Sequence, residues 1–387
     1  MTSELNEVLI GFDLCYDFSQ MTFYHQNNTE PMTVSSVPGE EKHQFPTPRD
    51  LFPLIEQRAE LGIALLSNFF KNSFEKLSSI GPVKRMIVMV TMEKMKPVWA
   101  RAIVQALEML DIDRENIYLQ DHMESFYYYA LSQKKEFWHY NVALFEYERE
   151  GITAYELRID YSTKPAFVNV EKRSRLHLDK KARSGQGKEE WNRTRDRLFL
   201  NQAQKMMGNE PFSSVYLIGD DFSKEWMQKS LLFLCRKRHV FMGKNLYTRG
   251  ACYGVMDQTG IQPIGAFLYN GPDMIEFNIG MRMQVKGQET YHNMITAGVS
   301  YYMAHYECEF LLDNTHEIEL YSRSMKGEQM IHTVQLTNLP ERPGKATRIR
   351  MSLEFTARNR CSVKLDDLGL GDLYPASGKK WEALLEL

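Results

Sequence analysis

No stretch of the 387-residue chain comes near the roughly 18 consecutive apolar residues that a membrane helix needs. The N-terminus has no basic region followed by an apolar core, so a secretory signal is not expected. Cysteine is scarce. The five present, Cys15, Cys235, Cys252, Cys308 and Cys361, are scattered, odd in number and without C-x-x-C spacing, which argues against zinc and against a disulfide framework. A reducing cytoplasm is the expected home. There is no excess of one charge either. Lys and Arg number 47 against 50 Asp and Glu, so the whole chain carries no nucleic-acid footprint. Neither nucleic acid nor membrane is expected as a partner. What is there, 43% hydrophobic and 25% charged residues, is ordinary for a globular protein long enough for two or three domains.

The chain reads first as strand–turn–strand. "LIGFDLCYDFSQMTFYH" runs from Leu9 to His25, with acids at Asp13 and Asp17 around the turn. A proline-containing polar stretch leads to Thr47-Pro48-Arg49-Asp50. There a long helix is predicted from the spacing of Leu51, Leu54, Ile55, Ala59, Ile63, Leu66 and Phe69. "RMIVMVT" (85–91) is a short apolar run suited to a buried parallel strand. A helix over 97–110, a strand "NIYLQD" ending at Asp121, and an aromatic-rich helix over 124–133 follow. Alternating strands and helices imply a parallel sheet with crossover helices.

A second hairpin is expected at 141–147 and 152–159, around "EREG". Residues 171–197 turn basic, with ten Lys or Arg against five Asp or Glu, and "KKARSGQGK" within them reads as an exposed loop. That stretch lacks the aromatic interleaving of a single-strand binding surface. "GQGK" (185–188) is too short for a phosphate loop. "SSVYLIGDDF" reads as one more buried strand, followed by a helix over 224–236. After Ala266 the pattern becomes strand-length alternation with turns and no long helix, an all-β module. The histidines, among them His25, His43 and His122, show no metal-ligand spacing, and no metal site is expected.

The order of these pieces resembles the actin-like ATPase superfamily, and most closely its seventy-kilodalton heat-shock chaperones. Their first phosphate turn, D-L-G-T-T-x-S, is similar to Asp13-Leu14-Cys15-Tyr16-Asp17-Phe18-Ser19. Gln120 and Asp121 stand where the family has N-E before a helix. The second phosphate turn, D-L-G-G-G-T, falls on Glu146-Tyr147-Glu148-Arg149-Glu150-Gly151. The adenosine motif falls on Ile218-Gly219-Asp220-Asp221, and "LYTRGACYGV" looks like the family's small-residue helix. "VQLTNLPERPGKATRIRMSLEFTARNRCSVKLDD" is similar to the turn and hairpin of the chaperones' peptide-binding β-sandwich.

The resemblance implies an α/β plus β chain: two actin-like (ribonuclease-H-like) lobes at 1–140 and 141–264, the second shortened and carrying a basic insert at 171–197, then a C-terminal β-sandwich at 265–387. It implies a nucleotide cleft made of Cys15, Tyr16, Asp17, Ser19, Gly151, Gly219 and Asp220, with Asp13, Asp121 and Glu146 at the catalytic acid positions. Here the resemblance meets the residues themselves. Phosphate turns use glycine because backbone N–H groups must come close to the phosphates. Cys15 and Tyr16 replace it in the first turn, and Glu148, Arg149 and Glu150 in the second. At about 4 Å and an effective dielectric near 20, one carboxylate against a phosphate costs roughly 4 kcal/mol, about three decades of affinity. The expectation is a chaperone-like pseudo-ATPase that acts as a scaffold, with vestigial acids, no cofactor and a protein or peptide partner on the β-sandwich. The alternative is an active ATPase or kinase using Asp13, Asp121 and Glu146 around magnesium and ATP.

Overall fold

The computed structural model describes residues 7–35, 44–148, 150–178, 187–208, 210–219 and 221–387. The chain forms two compact units, Met1–Asn270 and Gly271–Leu387.

The first unit opens with β1 (Val8–Asp13), β2 (Phe18–Tyr24), β3 (Met32–Thr33) and β4 (Phe45–Pro46). Then come α1 (Leu51–Gln57), α2 (Ala59–Phe74), β5 (Met86–Met92), α3 (Pro97–Glu108), β6 (Ile117–Asp121) and α4 (His122–Leu131). The long helix expected after Thr47 is two helices. Arg58 leaves the helical region (φ −143°, ψ 69°), so the chain turns between them and each buries its own apolar positions. The sheet runs β3-β2-β1-β5-β6, with β4 on β2. β1 pairs antiparallel with β2 and parallel with β5, and β5 pairs parallel with β6. Every residue of β5 is buried, as befits a central parallel strand covered on both faces.

The second half holds β7 (Asn141–Glu148), β8 (Gly151–Asp160), β9 (Ala166–His177), α5 (Lys188–Met207), β10 (Phe212–Ile218), α6 (Gln228–Leu234), β11 (His239–Gly243), α7 (Leu246–Gln258) and β12 (Phe267–Tyr269). Its sheet runs β11-β10-β7-β8-β9-β12. With β4 and β12 set aside and the remaining strands counted within each half, both sheets have the order third-second-first-fourth-fifth: an antiparallel hairpin first, then parallel strands added beside its first strand. The same arrangement has been laid down twice.

Packing follows in layers. Phe12 of β1 meets Phe70 of α2 edge-on at 5.0 Å. Phe145 of β7 meets Phe199 of α5 at 5.1 Å. Between the sheets, α4 and α7 share one core with Leu9, Met89, Val142, Leu144 and Tyr216, drawn from both sheets. The two halves are thus one unit with a common interior.

Three expectations need correction. The basic stretch 171–197 is not loop throughout, and residues 179–186, which hold most of the expected loop "KKARSGQGK", lie outside the described residues. Most of its described part is the end of β9 and the start of α5. Apart from the buried Asp196 and the half-buried Arg195, the charged residues of that described part are solvent-facing residues of an ordinary strand and helix. The helix expected over 224–236 is only Gln228–Leu234, because the chain first makes a turn that buries Trp226 and Met227. The boundary moves from Gly265 to Asn270, since β12 pairs parallel with β9 and stays in the first unit.

The second unit is all-β: β13 (Phe277–Val285), β14 (Gln288–Ile295), β15 (His305–Leu312), β16 (Glu317–Ser324), β17 (Gln329–Gln335), β18 (Thr347–Ala357), β19 (Arg360–Asp367) and β20 (Lys380–Glu386). They make two four-stranded antiparallel sheets, β14-β13-β16-β17 and β15-β18-β19-β20. Alternation in β18 sends Ile349, Met351, Leu353 and Phe355 inward. They share a core with Ile279, Ile318 and Leu320 of the other sheet, so the sheets are the two leaves of a sandwich.

Candidate functional site

β1 and β6 both end at the same edge of the first sheet. In register, Asp13 stands beside Thr91, and Met92 beside Asp121. The carboxyl ends of parallel strands are where open α/β sheets build their sites. Asp13 is buried there, 6% exposed. The turn after it is pinned by three bonds. Leu14 N–H donates to the Thr91 carbonyl at 2.9 Å. Cys15 N–H donates to Ser19 Oγ at 3.3 Å, and the Ser19 and Thr47 hydroxyls bond each other at 2.8 Å.

Asp121 stands at the start of α4. Its Oδ1 accepts from the Glu124 N–H at 2.7 Å, which makes it the N-cap of α4. The next residue, His122, is the one that reaches Asp13. Its Nε2 lies 2.8 Å from Asp13 Oδ1, and both side chains are buried. The same Oδ1 accepts from the Cys15 thiol at 3.2 Å. Tyr247 of α7 stacks on the His122 ring, centroids 3.9 Å apart and planes 12° from parallel. Burial, and after it the charge of Glu146 on β7, pushes the Tyr247 hydroxyl well above its usual value, and that hydroxyl makes no well-aligned hydrogen bond. Asp13, His122, Tyr247 and Glu146 thus form a chain from the first sheet to the second.

The electrostatics are those of a buried cation among acids. Burial opposes a charge on His122, but Asp13, Glu146 and Asp121 outweigh it and hold the imidazole above its usual value. Burial pushes the Glu146 carboxyl up to about 7, against the pull of His122. Burial, and then Asp13, raise the Cys15 thiol well above its usual range, so it stays protonated at neutral pH.

The other expected cleft residues are engaged elsewhere. Tyr16, exposed, packs its ring on Phe52 at 4.5 Å. Asp17 is exposed, and its carbonyl accepts from the Thr47 N–H at 3.0 Å. Gly151 (φ 150°) and Gly219 (φ 110°) serve chain packing, since a Cβ on either would strike the carbonyl of Leu176 or of Tyr147. Glu148 and Glu150 pair with Arg175 of β9 at 3.2 and 3.7 Å, so the basic stretch neutralises acids of the second turn. Asp220, Arg149 and His43 lie outside the described residues.

His122 and Tyr247 were not legible as site residues. His122 sits 109 positions from Asp13, so no spacing rule joins them. The available signal was its place directly after the strand-ending Gln120-Asp121. Among the described residues, Asp13, Cys15 and His122 form the one Cys/His/acid group whose donor atoms come together, all within 4.8 Å of one another.

In the second unit, a groove of about 790 Å³ is lined by residues of β13, β15 and β16, including Met281, Met283, Phe310, Glu309 and Glu319, and by Lys345 ahead of β18.

Residues 54–271 match the model of a family of unknown function, DUF5716 C-terminal. Residues 274–387 match a domain of unknown function, DUF8552. No curated protein matches the chain in sequence. Among solved structures it is similar to a Bacteroides thetaiotaomicron protein described as having an actin-like ATPase fold and unknown function. That likeness has 10% identity and a TM-score of 0.35, and covers 65% of this chain and 98% of that one. It is similar to the Aquifex aeolicus Ppx/GppA phosphatase, with 11% identity, a TM-score of 0.32, and 55% and 67% coverage. It is also similar to a ROK family transcriptional regulator, a homolog of E. coli MLC, with 9% identity, a TM-score of 0.38, and 68% and 81% coverage. These scores are low, and the duplicated strand order is the firmer description of the first unit. No helix among the described residues is long and apolar enough to cross a membrane.

Proposed function

The chain belongs to the family of unknown function DUF5716 C-terminal, whose model covers more than half of it, and we propose that it is a chaperone-like pseudo-ATPase. In this reading the first unit is an actin-like core that neither hydrolyses nor requires ATP. The β-sandwich is the contact surface for a protein or peptide.

One observation carries the reading. Asp13, the acid best placed to hold a magnesium ion's water, already accepts two hydrogen bonds on one oxygen, from His122 at 2.8 Å and from Cys15 at 3.2 Å. The His122 ring is in turn covered by Tyr247. A magnesium–triphosphate complex would have to break a buried charge-assisted bond, which typically costs several kcal/mol when one partner is left uncompensated. The loss of glycine at both turns acts in the same direction.

The test is a thermal shift. Only a ligand that binds the native state raises the melting temperature, so saturating magnesium-ATP should leave it unchanged. A rise of several degrees would overturn the reading.

The active-ATPase alternative has one observation in its favour. Asp13 and Glu146, from different sheets, both act on His122. It requires magnesium-dependent turnover that is lost in Asp13→Ala.

A further inference from the structure

We propose that Asp13, Cys15 and His122 form a binding site for a divalent metal ion of zinc's class, through one oxygen, one sulfur and one nitrogen donor. The inference goes beyond the pseudo-ATPase reading and does not depend on it, because it concerns the ion alone, with no nucleotide.

The first argument is convergence. The three donor atoms lie within 4.8 Å of one another. Asp13 Oδ1 is 2.8 Å from His122 Nε2 and 3.2 Å from Cys15 Sγ. A tetrahedral ion with bonds of about 2.0 Å to oxygen and nitrogen and about 2.3 Å to sulfur would hold its donors roughly 3.3–3.7 Å apart. The Asp13–His122 and Asp13–Cys15 separations each have to open by only about half an ångström, and the ion's own bonds replace the two hydrogen bonds that this breaks.

The second argument is that the donors are fixed in advance. Asp13 ends a strand paired on both sides. Cys15 is held by the Ser19 hydroxyl. His122 begins a helix capped by its neighbour Asp121. Little ordering is left to be done on binding.

The third is the charge around the cluster. The charged groups acting most strongly on Cys15 are Asp13, Glu146 and Glu93, and on His122 they are Asp13, Glu146 and Asp121. Every one is a carboxylate, and a cation placed among them is attracted.

The donor set then selects the ion. A thiolate and an imidazole suit zinc, cobalt and their neighbours, while magnesium prefers an all-oxygen shell. Binding replaces two hydrogens, the thiol S–H and the imidazole Nε2–H: the thiol proton leaves to solvent, and the imidazole proton leaves with it from the imidazolium form or moves to Nδ1 in the neutral ring. No electron transfer is involved. Cys15 retains some exposure, so a water can complete the fourth position.

The experiment uses tag-free full-length protein, stripped with a chelator and titrated with zinc, magnesium and cobalt chlorides without nucleotide. Zinc should bind as one ion per chain, at least about 1,000-fold more tightly than magnesium. The cobalt form should show a thiolate-to-metal charge-transfer band in the near ultraviolet. That band should vanish in Cys15→Ala and persist in Cys235→Ala, which removes an exposed thiol elsewhere. No band, a band that survives Cys15→Ala, or equal binding of zinc and magnesium would overturn the proposal. If Cys15→Ala does not fold, proton release by the wild-type chain decides. Repeating the zinc titration in buffers of different ionisation enthalpy should show between one and two protons released per ion, and none released would overturn the site.

Discussion

A Cβ added to Gly250 in the middle of α7 would land on the carbonyl oxygen of Ser125 in α4. The two helices between the sheets touch backbone to backbone at that point. Gly250→Ala should therefore destabilise the first unit despite the better helix propensity of alanine. Overpacking against rigid backbone costs about 1–3 kcal/mol. Gly243→Ala, where the new methyl comes no closer than 4.0 Å to the nearest atom, should change stability by less than about 0.5 kcal/mol. Denaturant unfolding of both variants is the check. Equal effects would mean that the helix contact is not tight.

In the second unit, Arg342 grips Asp367 with two hydrogen bonds of 2.8 and 2.7 Å, both side chains buried. Hydrogen bonds from Arg342, together with those from the Ser377 and Gly369 N–H groups, hold the Asp367 carboxyl far below its usual value. Arg342→Met should cost about 3–5 kcal/mol, because it strands a buried carboxylate. Arg342→Met with Asp367→Leu should cost less than the single change. The sign of the pH effect is fixed. A depressed folded pKa gives stability that is present above the unfolded value, near about 4, and lost as the pH falls below it. Acid unfolding of wild type and double variant measures this. A double variant as weak as the single one would contradict it.

The site makes the opposite pH prediction. Glu146 titrates at about 7 when folded, against an ordinary value of 4.5, so the folded chain holds that proton more tightly. The stabilisation is complete below the unfolded value and is lost as the pH rises through about 7. His122 is also held above its ordinary value and contributes with the same sign. Stability of the first unit should fall by roughly 1–3 kcal/mol between about pH 5 and 8, and Glu146→Gln should flatten the slope. A slope unchanged in that variant would show that Glu146 is not the group responsible.

The second unit has its own core, built from both leaves of the sandwich, so residues 271–387 expressed alone should unfold cooperatively. Leu353→Ala, at a fully buried position, should cost that fragment about 2–5 kcal/mol. Extended apolar peptides should bind it weakly and leave fast, because affinity differences are mostly differences in off-rate. Tight, slowly released binding would contradict this.

Much of this architecture was legible because periodicity survives where one face is buried. β5 is buried throughout as a central strand and apolar but for Thr91, and β18 alternates as one leaf of a sandwich. The basic stretch misled because β9 and α5 show their charge outward, while the buried face of α5 includes Asp196 and Gln202 along with Trp191 and Phe199. Asp196 is spent receiving the N–H groups of Lys229 and Ser230. The acids at Asp13 and Glu146 could be read from their place after strand-like runs. What neutralises Asp13 could not, since His122 comes from another strand end and Tyr247 from a distant helix, and only the parallel pairing β1–β5–β6 brings the first two together.

The central claim is that Asp13, occupied by His122, no longer serves a nucleotide. Titration calorimetry with magnesium-ATP on the full-length chain tests it most directly, with phosphate release followed on the same sample. The account predicts no saturable heat and no release of phosphate above buffer. Saturable binding that needs magnesium, with turnover abolished by Asp13→Ala, would contradict it.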